Sequence, residues 1–170
     1  NSLQSKATCY RTGLADCKGT MYWAEDLNNP GNAHLLNSFD QLNMDKISTD
    51  FGDQNRLVPV EVETLDAFAE NNLIHELDLI KIDVEGMEWE VLRAGANLIR
   101  RTQPIVIAET HRVASDMMGY DCLTPMFKFF YELEYETFSL NSTGKLERFI
   151  YPNFGGDTFF IPPGKKDRLC

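Results

Sequence analysis

The stretch that most constrains the fold runs from residue 79 to residue 111, where "LIKID" gives way to "VEGMEWEVLRAGANLIRR" and then to "IVIAETH". Short, near-continuous apolar runs suit strands buried on both faces, and the amphipathic stretch between them suits a crossover helix. Met87, Val91, Ala94 and Leu98 fall on one stripe of that helix, while Arg100 and Arg101 complement its carboxyl-terminal dipole. Gln103 and Pro104 stop it. Strand, helix and strand in this order form the βαβ unit of a parallel sheet, so the chain reads as an α/β protein.

Both strands end in ionisable groups, Asp83 with Glu85 and Glu109 with His111. Ligands of open α/β sheets bind in the crevice at the carboxyl ends of the parallel strands. Sequential βαβ strands are usually neighbours, which would put all four side chains on one rim. Such a rim can bind a cation, hold an amine or a ribose, or take a proton from a hydroxyl. Capping is the competing explanation, because acids in a first helical turn stabilise it by about 0.3–1 kcal/mol. It is the preferred one for Glu88. It accounts less well for Gly86, since glycine costs about 1 kcal/mol inside a helix and is useful where a backbone or ligand approaches closely. His111 alone reads as readily as a surface histidine. A metal held by Asp83, Glu85, Glu109 and His111 is chemically admissible, but no ligand spacing demands one and none is expected.

The flanking segments supply the rest of the sheet. "ATCYRTGLADCKGTMYWAED" reads as two β segments in a hairpin that turns at Lys18 and Gly19. Residues 27–54, rich in Asn, Asp, Ser and Gly, read as a long surface excursion where selectivity could lie. In "VPVEVE" the valines alternate as in a strand, and Pro59 favours an edge. Thr64 can then cap a short helix with Leu65, Phe68 and Ala69 on one face. Further on, Thr124 as a cap and Pro125 at the first helical position open a helix that carries Met126, Phe129, Phe130 and Leu133. "YETFSL", "KLERFIY" and "DTFFIP" close the chain as three strands, too closely spaced for helical crossovers and therefore antiparallel.

At 170 residues the chain suits one domain over residues 1–170. Its 26 acidic and 16 basic residues give a formal charge of -10, which repels phosphate backbones and anionic headgroups and argues against a nucleic-acid partner. No apolar run reaches the ~18 residues of a membrane span, and the first residues lack a secretory pattern. A soluble, cytoplasmic location is expected. The first residue is Asn1 rather than Met, which leaves room for an upstream segment. Cys9, Cys17, Cys122 and Cys170 lack CxxC spacing, so free thiols are expected rather than a zinc site.

"VETLDAFAE", "DLIKIDVEGMEWEVLRAGANLI", "PIVIAE", "EYETFSLNSTGKLERF" and "DTFFIPP" together resemble, in order and spacing, the FkbM-type methyltransferases over residues 57–163. "YRTGLADCKGTM" is similar to that family's third strand and the turn after it. The resemblance implies a Rossmann-like methyltransferase sheet with an antiparallel C-terminal hairpin. It also implies S-adenosyl-L-methionine as cofactor and a hydroxyl oxygen of a small molecule or carbohydrate as methyl acceptor. Asp83 and Glu85 match the acidic pair of the fourth-strand motif, beside cofactor and acceptor. Glu109 matches the acid after the fifth strand, and Asp16 falls where such enzymes meet the adenine. Asp83, Glu109 or His111 would then take the acceptor proton. The family's glycine-rich loop after the first strand and its ribose-binding acid after the second have no counterpart here. By that likeness the sequence lacks the first two strand-and-helix units and reads as the C-terminal part of the enzyme. Two other readings stay open: a noncatalytic fragment or binding module of the same fold, and a metal-dependent hydrolase using the acidic rim.

Overall fold

The computed structural model describes residues 6–26, 34–35, 55–84, 86–111, 119–150 and 156–165. Its contacts group into two units, Asn1–Glu63 and Thr64–Cys170.

The first unit holds β1 (Gly13–Leu14), β2 (Gly19–Asp26), β3 (His34–Leu35) and β4 (Asn55–Glu63), in the sheet order β1-β4-β2-β3. The expected hairpin is not formed, because β4 lies between β1 and β2, parallel to one and antiparallel to the other. β4 offers β2 a partner along its whole length, from Gly19↔Val62 to Asp26↔Asn55, whereas β1 spans only two residues. Close approach on the β1 side needs Gly13, where a Cβ would come 3.0 Å from Val62 Cγ1. Pro59 pairs with Tyr22 of β2, and β1 reaches only Val62 and Glu63. Pro59 therefore holds an edge position among the described residues, as its missing N–H requires. Apart from β3, the excursion at 27–54 lies outside the described residues.

The second unit runs α1 (Leu65–Asn71), β5 (Leu79–Ile82), α2 (Glu88–Arg93), α3 (Ala96–Thr102), β6 (Ile105–Glu109), α4 (Leu123–Glu132), β7 (Glu136–Leu140), β8 (Leu146–Phe149) and β9 (Asp157–Ile161). Its sheet order is β5-β6-β9-β7-β8. β5 and β6 pair in parallel from Leu79↔Ile105 to Ile82↔Ala108. β9 runs antiparallel between β6 and β7, and β8 is antiparallel to β7. The protein is thus a mixed α/β structure, and its closing strands are antiparallel as their short connections dictate.

The helix expected after β5 is broken in two. Ala94 ends α2 and Gly95 precedes α3. A Cβ at Gly95 would lie 2.4 Å from Leu65 Cδ2, so α1 packs directly into the break. Asp66, one residue along, accepts from Leu98 N at 2.8 Å and from Asn97 N at 3.3 Å, supplying from α1 the carboxylate cap that α3 lacks in its own sequence. Met87, Val91 and Leu98 remain buried, so the apolar stripe survives the break.

Thr64 caps α1 as expected, accepting from Ala67 N at 3.1 Å. α4 starts earlier than Pro125. The side-chain acceptor at its first turn is Asp121 rather than Thr124, with Thr124 N donating to Asp121 Oδ1 at 2.9 Å. The Thr124 hydroxyl, and after it this backbone bond, holds the Asp121 carboxyl below the usual carboxylate range. Phe127 and Phe130 of α4 meet Phe160 of β9 with ring centroids 5.2 and 4.2 Å apart. Trp89 of α2 meets Phe129 of α4 at 5.9 Å. These aromatic contacts form the centre of the core.

Candidate functional site

Strand alternation decides which side chains share a face. Lys81 pairs with Ile107, which pairs with Phe159, and Glu109 pairs with Asp157. Lys81, Ile107, Glu109, Asp157 and Phe159 therefore occupy one face of the sheet, and Asp83 continues the Lys81 side just past the end of β5. The parallel strands β5 and β6 both finish at this rim. β9 is antiparallel and starts there.

Carboxylate oxygens of Asp83, Glu88 and Glu109 all lie within 4.8 Å of one another. The sequence expectation that Asp83 and Glu109 meet at one mouth of the sheet is met by this geometry. Glu88 joins them from the first turn of α2, where it is 3% exposed. Its Oε1 accepts from Val84 N at 2.9 Å and from Gly86 N at 3.4 Å, tying down the turn between β5 and α2. Gly86 takes φ 102° there, a conformation that favours glycine. Burial pushes the Glu88 carboxyl up, the backbone donors of Val84, Glu88 itself and Gly86 pull it back, and the charge of Asp83 adds to the rise.

One cation and one imidazole border this cluster. Lys81 Nζ stands 2.9 Å from Asp157 Oδ1 and 3.5 Å from Asp83 Oδ2. Burial lowers the Lys81 ammonium, but the bonds and charges of Asp157 and Asp83 outweigh it, so the net shift is upward and Lys81 is protonated at neutral pH. His111 Nε2 lies 3.3 Å from Glu109 Oε1 and 3.2 Å from Gly156 N, which donates to it. One nitrogen cannot serve both neighbours at once: unprotonated, it accepts from Gly156; protonated, it donates to Glu109. Thr110 N and Thr110 Oγ1 both donate to Gly156 O, at 3.1 and 3.2 Å. The start of β9 is thus bound to the rim through His111, Thr110 and Lys81.

Of the residues singled out from sequence, Asp83, Glu109 and His111 are brought together here. Glu85 lies outside the described residues. Asp16 lies in the first unit, exposed and just beyond β1. Its charge raises the Cys17 thiol, second to the effect of burial. The acids of the cluster could coordinate a divalent cation. However, Glu88 already gives Oε1 to two amides, and no ligand here is committed to a metal alone.

Sequence reasoning misses Lys81 and the place of Asp157 opposite Glu109. Lys81 left a signal, a lysine inside an apolar strand two residues before the acid and hence on the same face. Asp157 left none, because its place opposite Glu109 depends on β9 inserting beside β6.

No helix among the described residues is long and apolar enough to cross a membrane. No curated protein and no solved structure matches the chain. The sequence does match the Methyltransferase FkbM domain over residues 2–150, a span that includes β5, the acidic turn, β6 and Glu109. The chain belongs to the FkbM methyltransferase domain family.

Proposed function

We propose that the protein is an S-adenosyl-L-methionine-dependent methyltransferase acting on a hydroxyl of a small molecule or carbohydrate. In this reading β5 and β6 are the parallel pair of a Rossmann-like sheet, and residues 1–170 form one methyltransferase domain. The observation that carries it is the meeting of Asp83, Glu88 and Glu109 within 4.8 Å at the carboxyl ends of two parallel strands, in a chain of this family.

The donor set fits parts of that cofactor. Its ammonium and sulfonium are cations, and its ribose offers two hydroxyl donors, all complemented by a carboxylate-lined rim. When bound, it supplies an electrophilic methyl group. Asp83 and Glu85 would bind and orient it. Asp83, which is exposed, and Glu109, which is half-buried, would take the acceptor proton. His111 can receive that proton from Glu109, at the cost of its bond from Gly156. Lys81 is protonated and therefore no base. Alignment and exclusion of water supply most of the rate enhancement.

Calorimetric titration with S-adenosylhomocysteine tests the binding half, and micromolar affinity is expected. Transfer of labelled methyl to a panel of hydroxyl compounds tests the chemical half. Asp83→Asn should lower turnover by about 10²- to 10⁴-fold, the usual range for loss of a positioned base, with the fold intact. Absence of binding by the wild-type chain removes the reading, and binding without transfer leaves a cofactor-binding module.

A further inference from the structure

We propose that Lys81 is the positioning residue that fixes the Asp83 carboxylate at the rim, an inference that rests on the role of Asp83 given above. Lysine is disfavoured in strand interiors, yet Lys81 stands between Ile80 and Ile82 in β5. Packing does not explain it, since its side chain is 43% exposed. Stability explains it poorly as well. Its partners Asp83 and Asp157 are 56% and 46% exposed, and ion pairs in such surroundings contribute little to folding.

Geometry gives the lysine another task. β6 lies between β5 and β9, so the Lys81 side chain must pass over β6, along the face of Ile107, to reach Asp157. Its ammonium then sits between a carboxylate from the end of β5 and one from the start of β9. Asp157 is the shorter contact, at 2.9 Å, and anchors the ammonium. The ammonium in turn holds Asp83 Oδ2 at 3.5 Å. Without this bridge, Asp83 would face the negative charge of Glu109 and the buried Glu88 with no cation between strands to set its rotamer.

The test uses the full chain, with Lys81→Met to keep length without charge and Lys81→Arg to keep the charge. Three-bond proton couplings at Asp83 report its side-chain rotamer without any ligand. A single rotamer is expected in the wild type and in Lys81→Arg, with averaging in Lys81→Met. S-adenosylhomocysteine affinity should fall by about five- to tenfold in Lys81→Met and recover to within about twofold in Lys81→Arg, with thermal midpoints alike in all three. A fixed Asp83 rotamer in Lys81→Met, or wild-type affinity in that variant, overturns the assignment. So does a large loss of thermal stability in Lys81→Met, which would make the lysine structural. If the wild type binds no S-adenosylhomocysteine but the rotamers respond as stated, the positioning role stands and the methyl-donor reading fails.

Discussion

Along β6, Val106 and Ala108 are fully buried while Ile107 and Glu109, the alternate residues, stay half-exposed. β9 repeats the pattern, with Thr158 and Phe160 sealed and Asp157 and Phe159 not. At the rim end of the sheet its two faces thus have different duties, while Ile105 and Ile161, farther along the charged face, are buried. On the sealed face even the polar groups are paired internally, as Thr110 and Thr158 are, oxygen to oxygen at 2.7 Å. On the other face three carboxylates crowd within 4.8 Å, an arrangement that costs folding free energy unless a ligand or a cation offsets it. Because the side-chain period of a strand is two, the packed face can bear the stability while the charged face is free to be costly.

The strongest way to break this division is to damage the sealed face. Phe130 is fully buried and stacks on Phe160 with centroids 4.2 Å apart. Phe130→Ala should cost about 3–5 kcal/mol in denaturant unfolding, the range for truncating a buried aromatic. Asp83→Asn in the same assay should stay within about 0.5 kcal/mol of wild type, as exposed substitutions do. Similar losses for the two variants would mean that the faces are not divided.

Gly95→Ala is next in size and probes the helical layer. The added methyl meets Leu65, whose Cδ2, Cγ and Cβ all fall inside 3.0 Å of it. Overpacking of this kind costs about 1–3 kcal/mol. Pairing it with Leu65→Ala removes the Cδ2 and Cγ clashes and leaves only the Cβ contact at 2.9 Å, so the double variant should lose less than the sum of the single losses. Additive losses would place the strain elsewhere.

Local pattern made part of this legible. The parallel pair β5 and β6 followed from two apolar runs with helical periodicity between them, and the Asp83 and Glu109 rim followed from where those runs stop. Thr64 was readable as a cap because its partner, Ala67 N, is three residues away. What escaped was set by contacts distant in sequence. The break at Gly95 depends on Leu65 and Asp66 of α1, and nothing in residues 88–102 alone distinguishes that glycine from a tolerated one. β4 separates β1 from β2 although it follows them by a long excursion, so adjacency in sequence suggested a hairpin that the sheet does not contain. Asp157 reaches the rim only because β9 inserts between β6 and β7. Strand insertion and remote caps carry no periodicity, which is why pattern reading misses them.

The smallest effect gives the sharpest test of the comparison, because Glu88 borders both faces: it is buried like the packing residues, yet its carboxylate belongs to the charged cluster. Burial raises its folded-state ionisation above the ordinary glutamate value, against the pull of Val84 and Gly86, and Asp83 raises it further. An acid raised in this way binds its proton more tightly when folded. Its contribution to stability is therefore complete below the unfolded value of about 4.3, and is lost as the pH climbs through the higher folded value. Glu88→Gln keeps a carbonyl oxygen for the two amides and removes the charge, so it should abolish that slope. It should also leave the chain more stable than wild type at neutral pH, by no more than about 1.5 kcal/mol, the scale of one net hydrogen bond. Unfolding free energies measured between pH 4 and pH 8 decide the matter. If the glutamine variant is instead less stable at neutral pH, the ionised carboxylate is holding the turn through charge-assisted bonds, and the charged face contributes to its own stability.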